Sequence, residues 1–556
     1  METSAVATLR TMHQALRRVV LSSWYSEPTV QAALGYAPRL EPAPQARAAT
    51  LHTGARGLEP GRRLKADVVV IGSGAGGAVA AAILAESGRD VVVLEEGRAW
   101  PVTERTGVER DLVPRLYAEA GGRATDDLGV QILQGRALGG STFVNWMLML
   151  RTPDDVLQEW RSAHGFEVDD AAMRAAFDEI ETSLHATRVP DSDHSRNNRI
   201  LLDGAARLHA STSAGTINAK GCVRAGLCGL GCPWAAKQST DETWLPRALL
   251  AGARIATGAR VREIERIGAE RGRWGATKRV LVEVLDAHGR VGGQTTIDAQ
   301  VVVLAAGAVE TPALLQRSGM GGGAVGRWLR LHPTSAVAAL HAEPVHASAG
   351  IPLSVVCRPD ASGYWIECPP FLPGLAAVAM PGFGERHRRW MERFTHIATN
   401  IVLVRDGAAR AESQGDVRVD SAGRPRVRYR MGEAERRTMA RGLTTAARLQ
   451  LAAGAREVTT LHTHGEPIRT EGDLGRIAAW PDGPNELTVF SAHVMGSCRI
   501  GGERATSACA PDGQVRGRKG VYVLDGSLLP TAPGVNPQET IMALSLVLAR
   551  RLAAGA

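Results

Sequence analysis

The stretch ADVVVIGSGAGGAVAAAILAESGRDVVVLEEG, residues 66–97, opens with an unbroken apolar strand and turns through Gly72, Gly74 and Gly77 into an alanine-rich helix. A second apolar strand follows and ends on Glu95. Gly72 allows the tight turn, Gly74 lets backbone approach a pyrophosphate, and Gly77 permits close packing of helix on strand. The unpaired amides of the helix's first turn then face the phosphates. Glu95, 23 residues after Gly72, occupies the place of the acid that accepts hydrogen bonds from the adenosine ribose hydroxyls. The order strand, turn, helix, strand, acid predicts a dinucleotide-binding unit. Taken alone it leaves nicotinamide and flavin dinucleotides both open.

Outward from this unit, the 556 residues carry enough apolar content (44%) for a large core, and 22% charged residues, as an ordinary globular enzyme does. No run of 18 apolar residues exists to span a bilayer, so no transmembrane segment is expected. A net charge of +8 is spread among alternating signs, and only 4% of residues are aromatic, which argues against nucleic-acid binding. Seven cysteines, an odd and sparse set, favour a reducing compartment and a cytoplasmic location. Arg17 and Arg18 precede too short an apolar stretch for a secretion signal. Residues 1–64 read as an N-terminal extension, a short helix followed by a Pro/Ala/Arg-rich arm. Motif-bearing segments occupy 66–335 and 480–556, a discontinuous cofactor domain, while 336–479 carries no assignable motif and is expected to be the substrate-binding domain.

Four further segments follow in order: GRALGGSTFVN (135–145), GAVETPALLQRSG (307–319), HVMGSCRIG (493–501) and VLDGSLLPTAPGVNPQETIMALS (523–545). With the opening unit, this ordered set resembles the glucose-methanol-choline (GMC) family of FAD-dependent oxidoreductases from about residue 66 to the C-terminus, most weakly between 336 and 480. The resemblance implies a mixed α/β (α+β) fold, with a Rossmann-like FAD-binding domain and a second substrate domain built on an antiparallel sheet. It implies that Arg136, Gly139, Gly140 and Ser141 lie against the pyrophosphate and flavin edge, and that Asn145 lies near the flavin ring. Where covalently flavinylated members carry a His before that Asn, this chain has Val144, so non-covalent FAD is expected. Asp525 and Val535 would contact the cofactor. His332, in VGRWLRLHP (325–333), reads as structural. A helix is expected to begin near Thr311 with Pro312 at its first position.

The catalytic expectation falls on His493 and Asn536. By resemblance His493 is the base that takes the hydroxyl proton while hydride passes to flavin N5, and an imidazole titrating near neutrality suits that task. Asn536 would hold the substrate oxygen. The implied reaction is oxidation of a primary or secondary alcohol to a carbonyl, with oxygen or an electron-acceptor protein or quinone as partner. The apolar run FLPGLAAVAMPGF (371–383) leans the substrate towards a lipophilic alcohol.

One loop stands apart. GCVRAGLCGLGCPWAAKQST (221–240) sets Cys222, Cys228 and Cys232 at C-x5-C-x3-C. An iron-sulfur cluster, a disulfide or zinc site, and buried free thiols all remain open here, with Lys237 and Ser239 anchoring the loop. A cluster would make the enzyme a sugar or polyol dehydrogenase with an electron relay. A lyase using FAD structurally is a further alternative on the same scaffold.

Overall fold

A computed structural model describes residues 7–38, 55–270, 272–359, 363–407 and 413–555. Two eight-stranded sheets organise the chain. The first is built around the apolar strands the glycine motif announces. Leu64–Ile71 lies parallel to Val91–Glu95 on one side and to the long strand Val291–Leu304 on the other. Arg254–Thr257 and Ala55–Arg56 extend the parallel part. Beyond Val291–Leu304, the strands Thr277–Leu285 and Ala259–Ile267 add an antiparallel flank, and Val521–Val523 pairs with residues 302–304 of the same long strand. The central strands are apolar on both faces because both are covered. Helices Ala75–Glu86 and Gln538–Ala554 pack together against the sheet. Their small residues permit that approach: a Cβ on Gly76 would sit 2.7 Å from the Ser545 hydroxyl of the C-terminal helix, and 2.0 Å from the Leu524 carbonyl oxygen below.

The second sheet runs Val130–Ile132, Val489–Ser491, Thr334–Leu340, Ile397–Val404, Tyr364–Glu367, Val355–Arg358, Ser211–Ala214, with Glu457–Thr460 also pairing Thr334–Leu340. Every pairing is antiparallel except that of Val489–Ser491 with Val130–Ile132. The fold is therefore the mixed α/β arrangement expected, with a parallel cofactor sheet and an antiparallel partner. Three strands of that partner come from outside residues 336–479. A helix, Glu433–Ala452, covers its outer side.

Two local expectations need correction. The helix expected to begin near Thr311 runs Gly307–Arg317, with Pro312 inside it. Gly307 enters it at φ +85°, and the Ala308 carbonyl, which Pro312 has no N–H to serve, accepts from the Ser497 hydroxyl instead at 2.6 Å. The run 371–383 forms the helix Pro373–Ala379, buried beneath the N-terminal helix Ala7–Tyr25, and lines no part of the cavity described below. Arg17 reaches inward from that N-terminal helix to the carbonyls of Ala377, Val378, Met380 and Gly382. The arm expected after the first helix lies, for residues 39–54, outside the described residues.

Candidate active site

Between the two sheets lies a cavity of about 540 Å³. One wall is the glycine turn. Gly72, Gly74 and Glu95 line it, and Gly140 packs across from Gly74 so tightly that a Cβ on Gly140 would meet the Gly74 Cα at 2.8 Å. Gly140 also has φ +55°, a second reason for glycine there. Glu95 is buried, and its Oε2 accepts from the Ser73 amide (3.1 Å) and hydroxyl (2.6 Å) while Oε1 accepts from the Gly97 amide (2.8 Å). Burial pushes its carboxyl up to about 7 against those donors. The Ser73 hydroxyl in turn accepts from the Gly139 amide at 2.9 Å, tying the two glycine segments into one cradle. Gly77, Gly139 and Val535 do not line the cavity wall. Arg136 and Ser141 line the wall, Arg136 half-exposed and paired with Glu96 at 3.5 Å.

Asp525 lines the cavity and joins two strand–helix junctions. Its Oδ2 accepts from the Gly307 amide (2.9 Å) and the Thr311 hydroxyl (2.6 Å), and its Oδ1 from Ser527. Burial raises its pKa, and these donors hold it down. Asn145 donates through Nδ2 to the Gln538 Oε1 at the start of the C-terminal helix, so the turn 140–145 and that helix N-terminus are fastened side by side on the wall. The positive end of the helix dipole faces the cavity there.

His493 and Asn536, 43 residues apart in sequence, both line this cavity. The means of bringing His493 there is a two-residue ladder: Arg330 pairs with Met495 and Leu331 with Val494, so the next step sets His332 opposite His493. The two rings meet Nδ1 to Nδ1 at 2.9 Å, nearly perpendicular. That strand is pinned from behind, because Asp406 accepts from Arg330 Nη1 (3.2 Å), the Leu331 amide (3.1 Å) and the Tyr429 hydroxyl (3.0 Å). Burial pushes His493 down to about 4 and His332 well below the ordinary imidazole range, so both rings are neutral. His332 also stands edge-on to Trp365 at 4.8 Å, and Trp365 Nε1 donates to Glu367 at 2.7 Å. Glu367 lines the cavity beside Asn536.

His332 and Glu367 are the residues whose placement the sequence reading did not find. A two-residue ladder leaves no periodicity to read, and a single acid at the end of the short strand Tyr364–Glu367 looks like any strand terminus.

The three-cysteine loop packs against the same turn. Cys222, Cys228 and Cys232 are free thiols, the latter two buried, and Cys228 Sγ faces Met147 Sδ at 3.9 Å. Among the described residues no group of three or more His, Cys, Asp or Glu is placed to hold a metal ion. The buried Lys237 ammonium donates to the carbonyls of Phe143 (2.5 Å), Cys228 (2.9 Å) and Asn145 (3.1 Å), and burial brings it down to about 8.

Against known proteins, the chain matches the family model of GMC oxidoreductases over residues 113–334 for its N-terminal part and 411–545 for its C-terminal part, and an FAD binding domain over 67–101. An uncharacterised GMC-type oxidoreductase of Mycobacterium tuberculosis is 38% identical over 495 residues, covering 87% of this chain and 75% of that protein. A long-chain-alcohol oxidase of Arabidopsis thaliana is 32% identical over 516 residues, covering 88% of this chain and 67% of its own length. Among solved structures, pyridoxine 4-oxidase from Mesorbium loti superposes with a TM-score of 0.63 at 18% identity, over 87% of this chain and 98% of that one. Among the described residues no helix is long and apolar enough to cross a membrane.

Proposed function

Since the chain belongs to the GMC oxidoreductase family, we propose that it is an FAD-dependent enzyme oxidising a lipophilic primary or secondary alcohol to the carbonyl, with His493 as general base and Asn536 holding the substrate oxygen. The observation that carries this is that His493 and Asn536 both line the cavity that the glycine cradle opens into. The residues present fit FAD. A Cβ at Gly140 would close the cradle, Glu95 Oε1 keeps lone-pair capacity for a ribose hydroxyl, and the helix N-terminus at Gln538 faces the same space. Arg136, Ser141, Asn145 and Asp525 complete the cofactor wall, and Val144 offers no histidine for a covalent link. When bound, FAD supplies the hydride acceptor.

The chain's own residues do the proton work. With the His493 proton on Nδ1, donated to His332 Nδ1, His493 Nε2 is left as a lone-pair acceptor for the substrate hydroxyl. His332 then carries its own proton on Nε2, the buried atom that has no partner. The apolar wall beside this pair, with Trp146, Met147, Leu353, Ile401, Leu403 and Phe490, excludes water and suits an alkyl chain. The relatives named long-chain-alcohol oxidases, 28–32% identical, support the same substrate class. Their name also favours oxygen as electron acceptor, which rapid reoxidation in air with peroxide release checks.

The test is His493→Ala. Turnover of a long-chain primary alcohol is expected to fall by roughly 10²–10⁴, the usual contribution of a positioned base, with FAD content unchanged. A variant that keeps wild-type turnover would refute the assignment of the base.

A further inference from the structure

The N-terminal helix Ala7–Tyr25 is fixed to the fold by one face. Arg17, Leu21 and Tyr25, spaced four residues apart, are buried, with Arg17 holding the carbonyls around Met380 and Tyr25 tilted against His387. The opposite face is apolar and open to solvent. Leu9, Met12, Leu16, Val19, Val20 and Trp24 recur three and four residues apart, the spacing of one helical stripe, and all are exposed, Leu16 and Val19 to 65% and Trp24 to 59%. Phe383, 56% exposed, adds to the stripe from a neighbouring loop, its ring edge-on to His13 at 6.2 Å. Among the described residues the other exposed large apolar side chains, Leu208, Val223, Leu250 and Val291, each stand in a different segment. A contiguous apolar face of this kind marks an interaction surface.

The charges around it select the partner. Between residues 7 and 25 the chain has three arginines, Arg10, Arg17 and Arg18, and no Asp or Glu. Arg18 donates to the Leu128 carbonyl at 3.2 Å, and the loop it touches is bonded to the strand Pro425–Arg430, the Asp126 amide donating to the Val427 carbonyl at 2.8 Å. That strand exposes Arg426, Arg428 and Arg430 at alternate positions. Arg426 and Arg428 share Asp126, at 2.8 and 3.5 Å, and Asp127 is the other acid of the loop. Four arginines against two acids leave this flank of the helix positive.

We propose that the outward face of Ala7–Tyr25 seats the protein on an anionic lipid surface, with the helix lying in the plane of the interface, its stripe and Phe383 among the acyl chains and the arginines at the phosphates. A helix that rests in a bilayer interface has this pattern, apolar and aromatic on one side and basic beside it, and each cation near an anionic leaflet adds attraction. A second copy of the chain is a poorer fit, because twofold pairing of the same face brings the arginine flanks of both copies together.

Flotation of the FAD-loaded protein with lipid vesicles tests this. The wild type is expected to float with vesicles of phosphatidylcholine and phosphatidylglycerol, to bind phosphatidylcholine alone about tenfold more weakly, and to be released in part by added salt. Leu16→Glu combined with Val19→Glu, at two exposed positions, should lower vesicle binding by about 100-fold or more, the loss of two immersed apolar side chains, while Tm and FAD content stay as in the wild type. A gentler variant gives a second readout. Lipids brominated on their acyl chains should quench part of the wild-type tryptophan fluorescence, and Trp24→Phe should remove that part while vesicle binding persists. Neither measurement needs an alcohol, so each can fail or succeed independently of the proposed reaction. Absence of flotation, equal flotation with both kinds of vesicle, or a double variant that floats like the wild type would overturn the proposal. A wild-type dimer that the double variant dissociates, with no vesicle binding, would overturn it too and assign the face to a second copy.

Discussion

His332 shows how one residue acts through another. It touches neither the glycine cradle nor the cavity wall, yet its Nδ1 takes up the Nδ1 of His493 and so decides which nitrogen of the proposed base is left for a substrate. A carboxylate in that place would hold an imidazolium. A neutral imidazole holds a tautomer without raising the base's pKa, in keeping with a His493 pulled down to about 4. His332→Phe keeps the ring against Trp365 and removes the acceptor, and kcat is expected to fall about 10- to 100-fold, the range seen when orienting partners of histidine are lost. KM and FAD content should change little, which separates misorientation from collapse of the site. The pH dependence follows with its sign. The base must be unprotonated and its folded pKa is depressed, so the rate holds above about 4 and is lost as pH falls through that value. A wild-type acid limb near the ordinary imidazole value would contradict a neutral His493 with a depressed pKa.

At the level of elements, the cysteine loop and the turn 140–145 behave as one unit through Lys237. Its ammonium serves three carbonyls, two on the turn 140–145 and one on the loop. Lys237→Met leaves three buried acceptors without a donor, and a cost of about 3 kcal/mol in unfolding free energy is expected, read by denaturant titration. FAD affinity should weaken with it, because Asn145 shares that turn. An unchanged stability would show that the lysine is not the clamp. How far the elements could be read from the sequence varied with their chemistry. The strand–helix–strand of 66–97 was plain because its glycines, its helix and its terminal acid all answer to one ligand, and Leu64–Ile71, Ala75–Glu86 and Val91–Glu95 follow it closely. The run 371–383 misled, since an apolar stretch under a neighbouring helix has the composition of one lining a substrate pocket. The cavity's apolar wall instead draws single residues from distant segments such as Trp146, Leu353 and Phe490, a convergence that no local window displays.

For the molecule as a whole, two sheets enclose a cavity to which each contributes a different chemistry. The parallel sheet and its helices bring glycine backbone, Glu95 and Asp525, and the antiparallel sheet brings Glu367 and apolar side chains, with His493 following directly from its strand Val489–Ser491. A ligand bound across both sheets stabilises the folded state and not the unfolded chain. At a free FAD concentration of a thousand times Kd the gain is expected to be about 4.1 kcal/mol, visible as a higher Tm that falls back when the flavin is removed. Identical Tm values with and without FAD would speak against a cofactor seated between the sheets. The central claim, alcohol oxidation at this cavity, is tested most directly by mixing the FAD-loaded enzyme anaerobically with a long-chain primary alcohol and following flavin absorbance. The account predicts full bleaching with one aldehyde formed per flavin, slowed when the carbinol carbon carries deuterium and abolished on the same timescale in His493→Ala. Aldehyde without bleaching, or a flavin that stays oxidised with every alcohol offered, would contradict it.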